Sequence, residues 1–143
     1  MKIDFFLSVP KSPGSIDNPS FEQIEWALRN EDFYGGSLAD VSLTYVEFND
    51  PNPRVSAKLF FWLDSPDQVA TFYQGSGAWW GFSNGIKSGD DLEIDDGGGN
   101  EIMMNDKFLQ PTEFALGFCK QMMGKGFVEI GSGWDKVSGR YLG

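Results

Sequence analysis

The stretch from Ala39 to Asp64, ADVSLTYVEFNDPNPRVSAKLFFWLD, decides the fold. Its first part alternates, with Val41, Leu43, Tyr45 and Glu47 on one side of an extended chain and Ser42, Thr44 and Val46 on the other. That period of two is the signature of a strand. NDPNPR at 49–54 then breaks the pattern with two prolines, as a turn does. Beyond it VSAKLFFWLD is a second strand, and the run Leu59-Phe60-Phe61-Trp62-Leu63 is dense enough for a central position. The two segments make an antiparallel hairpin with a six-residue link.

Working outward toward the N-terminus, Lys2 to Val9 reads as a strand closed by Pro10 and the turn-rich SPGSIDNPS. Asp4 interrupts its apolar run, which is too short for a secretory leader. Ser20 and Gln23 have the spacing of a capping box for a helix from Phe21 to Asn30. Phe21, Ile24, Ala27 and Leu28 form its apolar stripe. Trp26 lies off the centre of that stripe, and either packs against a flanking loop or stands exposed as a contact residue.

Toward the C-terminus, SPDQ turns the chain and VATFYQG reads as the next strand, although Pro66-Asp67 can equally start a short helix through Gln74. GSGAWWGFSNGIKSG at 75–89 is so rich in glycine that it gains order mainly by anchoring Trp79, Trp80, Phe82 and Ile86. It is either a meandering edge strand whose rings cover the core or an aromatic contact site, since Trp is favoured in interface hot spots. A strand through Gly89 to Asp96 returns at Gly97-Gly98-Gly99-Asn100 into Glu101-Ile102-Met103-Met104, a second hairpin. Pro111 opens a helix in PTEFALGFCKQMMGKG, with Phe114, Ala115, Phe118, Cys119 and Met122 on one face. Lys120 and Lys125 suit its carboxyl end, and Gly124 or Gly126 can stop it. FVEIGSGWDKV adds a short extended segment with Trp134. The expected class is α+β: a mostly antiparallel sheet with two helices packed on one face, the other face partly open, in one domain over 1–143.

Composition narrows the function classes. The 143 residues carry a formal charge of -10, which repels nucleic acid and anionic lipid and favours basic proteins and cations. No segment reaches the roughly 20 apolar residues of a membrane span. The chain has no His and one Cys, so imidazole chemistry and an intrachain disulfide framework are excluded. Cys119 falls on the apolar side of its helix and reads as a small buried hydrophobe rather than a nucleophile. These features point to a cytoplasmic protein that is not an enzyme and needs no cofactor.

GDDLEIDDGGGNEIMMND, at 89–106, is the candidate for function. Leu92 and Ile94 alternate with Asp91, Glu93 and Asp95, so a strand here turns its apolar residues inward and lines carboxylates about 7 Å apart along its other side. Their mutual repulsion falls when a cationic partner arrives. The expected partner-binding set is Asp90, Asp91, Glu93, Asp95, Asp96 and Glu101, with Trp79 and Trp80 beside them. An EF-hand count from Asp91 fails, because its sixth position is Asp96 instead of Gly and its twelfth is Ile102 instead of Glu. A looser divalent-cation site at Asp95, Asp96 and the glycine loop is one alternative. Another is a small glycoside hydrolase using two of the carboxylates, with Trp79 and Trp80 against the sugar. GGGN lacks the lysine of a phosphate loop. A solvated face that keeps the chain soluble is the plainest reading.

In element order, KLFFWLD and VATFYQG, then WWGFSNG, then DLEIDD, then a strand leading into PTEFALGFCKQMM and a late Trp134, the chain resembles the Imm1 family of bacterial immunity proteins from Val41 to Trp134. The resemblance implies a protein that protects its producer by binding a toxin domain of the nuclease or deaminase class. Such a toxin tends to carry a basic substrate groove, which an acidic hairpin could occupy in place of phosphates.

Overall fold

The computed structural model describes residues 4–38, 40–49, 52–75, 77–138 and 141–142. The hairpin that decides the fold consists of β3 (Val41–Asn49) and β4 (Asn52–Leu63), paired antiparallel from Val41 opposite Phe61 to Asn49 opposite Asn52. The strands therefore run well into the prolines, and the six-residue link expected at 49–54 shortens to Asp50 and Pro51, which lie outside the described residues. Between Tyr45 and Val46 the register passes from Ala57 to Val55, so Ser56 is the extra residue and the bulge lies in β4, where it re-aims the side chains beyond it.

Around β4 the sheet grows by antiparallel neighbours. On one side come β3, β1 (Phe5–Ser8) and β2 (Ser15–Asp17), and on the other β5 (Gln68–Gly75), β6 (Ala78–Phe82) and β10 (Trp134–Val137). The β9 strand (Leu109–Pro111) adds to the start of β5. VATFYQG is thus a strand and not the alternative helix. The WWGF segment, expected at an edge, is interior because Trp134–Val137 pairs along it. Gly81 leaves room there for Phe108, whose ring would lie 2.6 Å from any Cβ at that position.

The helices pack on one face. α1 (Phe21–Leu28) begins with the expected capping box, in which Gln23 N donates to Ser20 Oγ at 3.2 Å and Ser20 N donates to Gln23 Oε1 at 2.9 Å. It buries Ile24, Ala27 and Leu28. α2 (Thr112–Lys125) follows Pro111, buries Ala115, Leu116, Cys119 and Met122, and stops at Gly126. Gly126 adopts φ 81°, a left-handed conformation that glycine takes without steric cost. These residues share a core with Leu43, Leu59, Phe61, Val69 and Tyr73 from the sheet. Phe118, Trp134 and Phe82 meet there edge-on or tilted, with ring centroids 4.7–5.3 Å apart.

The opposite face is not left open. A small sheet of β7 (Asp91–Asp95), β8 (Glu101–Asn105) and β11 (Tyr141–Leu142) lies over it, β11 running parallel to β8. Ile94, Met104 and Leu142 from this layer meet Phe60, Ala70, Phe72 and Phe108 in a second apolar core. The layers run helices, main sheet, acidic hairpin. Alternation along β4 and β5 feeds both cores, with Leu59 and Phe61 toward the helices and Phe60 and Phe72 toward the hairpin. Among the described residues no helix is long and apolar enough to cross a membrane.

Candidate functional site

The acidic hairpin takes its shape from two-residue alternation. Leu92 opposite Met104 and Ile94 opposite Ile102 turn inward, while Asp91 opposite Asn105, Glu93 opposite Met103 and Asp95 opposite Glu101 form the outer rows. Asp95 and Glu101 thus face each other directly across the ladder. Two like charges in that arrangement destabilise a sheet.

The turn explains the run of glycines. Asp96 N donates to Asn100 O at 2.9 Å to close it, and Gly97 and Gly99 take φ values of 99° and 84°. Only glycine enters that region without strain. Asp96 Oδ1 accepts from Gly98 N at 2.7 Å and from Asn100 N at 3.3 Å. Those bonds, the one from Gly98 foremost, hold the Asp96 carboxyl below the ordinary aspartate range. Asp95 Oδ1 accepts from Gly97 N at 2.6 Å and from Ser37 Oγ at 3.1 Å. Leu38 N also donates to Asp95 O at 2.9 Å, which ties the hairpin to the segment ahead of β3. At the far end Asp106 Oδ1 accepts from Asp90 N at 3.0 Å. Asn105 Nδ2 reaches Gly89 O at 3.0 Å and Asp91 Oδ1 at 3.2 Å.

The acids therefore divide by role. Asp95, Asp96 and Asp106 accept backbone hydrogen bonds that build the turn and its base, and Asp91 accepts from Asn105. Glu93 and Glu101 are exposed, and among the described residues neither carboxylate has an ion pair or hydrogen bond. Both stand on the outer row of the outermost layer. The same charges discourage edge-to-edge pairing along β7. Among the described residues no three acidic or cysteine side chains are grouped to hold a metal ion.

The two tryptophans part company. Being consecutive on β6, they point to opposite faces. Trp79 packs into the hairpin-side core, edge-on to Phe60 at 5.0 Å and 70°. Trp80 lies on the helix side. Trp79 also lines a pocket of about 150 Å³ where the hairpin tip meets the main sheet, with Leu38, Lys58, Phe60, Gln74 and Asp96 around it. The register Lys58–Gln74–Trp79 across β4, β5 and β6 brings these three side chains into one row.

Lys58 was legible only in outline. A lysine between Ala57 and Leu59 in a strongly apolar strand is unusual, but its neighbours Leu38, Gln74, Trp79 and Asp96 come from four other segments of the chain. The sequence joined Trp79 to the acidic run, as the fold does through Asp96, and missed the lysine that lines the same pocket.

No family model matches this chain, and no curated protein matches it.

Proposed function

We propose that this chain is a binding protein that neutralises a basic protein domain through the outer face of its β7–β8 hairpin. The observation that carries the reading is the pair of exposed carboxylates, Glu93 and Glu101, with no cation beside them among the described residues. Asp95 stands directly across from Glu101, Asp91 lies in the same alternating row of β7, and Asp90 is exposed just ahead of that strand. A basic surface docked there relieves the repulsion along the ladder and is steered in by the net charge. Trp79 and the pocket behind the tip offer a partly apolar seat at the rim.

The resemblance to Imm1 immunity proteins supplies the kind of partner. It is a cognate toxin domain of the nuclease or deaminase class, whose substrate groove the hairpin blocks, in the cytoplasm of the producing cell. Inhibition of this type is steric and asks no catalysis, metal or cofactor of the chain. The absence of His and the burial of Cys119 accord with that.

The test is co-expression with the protein encoded beside this gene. Where that neighbour alone stops growth, this chain should restore growth and form a one-to-one complex whose association slows as salt rises. Combined Glu93→Gln and Glu101→Gln should weaken the complex by roughly tenfold or more, as loss of interfacial charge pairs does. Toxicity unaffected by the chain, or a complex indifferent to both substitutions, would overturn the reading.

A further inference from the structure

The helix layer carries an acidic groove of its own, on the side of the main sheet away from the hairpin. It is an open groove of about 720 Å³ lined along α1 and the following 3-10 turn by Glu22, Glu25, Trp26, Arg29, Glu31 and Asp32. Trp26 is 45% exposed. Its ring meets Phe33 edge-on, with centroids 5.7 Å apart and planes at 87°. That contact anchors the indole on one side while nearly half of the residue stays open to solvent.

The charges around it are unequal. Arg29, the cation of the groove, is already engaged by its own partners. Its Nε donates to Glu25 at 3.3 Å, its Nη1 to Pro66 O at 2.7 Å, and its Nη2 to Glu113 at 3.3 Å. Glu22, Glu31 and Asp32 have no ion pair among the described residues. An exposed indole bordered by unneutralised carboxylates matches one side chain best. A planar guanidinium can stack on the ring and direct its N–H groups at carboxylates in the same plane.

We propose that this groove seats an arginine side chain of a basic protein segment, with Trp26 as the stacking platform and Glu31 and Asp32 as acceptors. The site is independent of the hairpin and faces the other way, so the molecule has two cation-accepting faces.

The experiment uses the full chain, labelled with nitrogen-15, at low salt. The probe is the blocked peptide acetyl-Gly-Arg-Arg-Gly-amide, with its citrulline counterpart as the neutral control. The arginine peptide should give saturable shifts at the Trp26 indole N–H and at the amides of 22–32. The citrulline peptide should bind at least about threefold more weakly, the scale of an exposed cation–π contact. Trp26→Leu keeps an apolar contact for Phe33 and removes the π face, and it should weaken the arginine peptide by a similar factor. Glu93→Gln with Glu101→Gln should leave these shifts unchanged. Equal affinity for the two peptides, equal affinity in Trp26→Leu, loss of the shifts in the hairpin variant, or no saturation would each overturn the proposal. Failure here with growth protection intact would leave the hairpin reading standing.

Discussion

Replacing Glu101 by Lys should make the protein more stable while weakening its hold on a basic partner. Glu101 sits directly opposite Asp95 in the antiparallel ladder, where Cβ atoms are about 5 Å apart and carboxylates on longer stems about 6 Å. At that distance, in a near-aqueous dielectric, like charges repel by about 0.7 kcal/mol, and screening at physiological salt cuts this by about half. Asp95 is held in place by Gly97 N and Ser37 Oγ, so it cannot swing away. Reversing the sign at 101 removes the repulsion and adds an attraction of similar size, for a gain of about 1.4 kcal/mol at low salt. In a chain of this length that is a rise of roughly 5 °C in Tm. Calorimetry at low and at physiological salt measures it, with Glu101→Gln expected to gain about half as much. A Tm that falls, or a gain that does not shrink with salt, would refute the claim that these two carboxylates repel across the ladder.

Gly81→Ala should cost about 1–3 kcal/mol in urea unfolding, because the new methyl meets the Phe108 ring at 2.6 Å and Phe72 at 3.0 Å in the core beneath the hairpin; an unchanged midpoint would mean that this core is loose. Cys119 is fully buried and desolvation pushes its thiol pKa far up, so a disulfide reagent at mildly alkaline pH should leave the native protein unlabelled and react fully once it is unfolded. Asp96, whose carboxyl is held low chiefly by the bond from Gly98 N, has a folded pKa below its unfolded one. Its contribution to the turn is therefore complete above the unfolded value and disappears as pH falls through the folded value. The Gly98 amide resonance, followed by NMR, should shift with a midpoint below that of an ordinary aspartate, and a midpoint at or above it would contradict the hydrogen-bonded turn.

Most of the architecture was readable because its signals are local. A capping box at Ser20 and Gln23, a left-handed stop at Gly126 and the alternation of Leu92 and Ile94 each act within a few residues, and each does in the fold what its spacing implies. The third layer was harder to read. Leu59-Phe60-Phe61-Trp62-Leu63 is apolar on both sides, which requires cover on both faces, yet only the helices were expected to provide it. What covers the second face is the same acidic hairpin whose outer side is the candidate site.

The sequence by itself determined the class of elements, the polarity of the hairpin and the excess of negative charge, because propensity, periodicity and charge are carried residue by residue. Tertiary structure decided which carboxylates are engaged. Asp95 and Asp96 lie close to Glu93 and Glu101 in the chain, but backbone N–H groups of the folded turn engage the first pair, while the second pair is exposed with no partner among the described residues. It likewise sent Trp79 to the hairpin and Trp80 to the helices, brought Lys58 beside Asp96, and set Trp26 in an acidic groove. Such juxtapositions depend on strand register and on which face each layer covers, and long-range pairing fixes both.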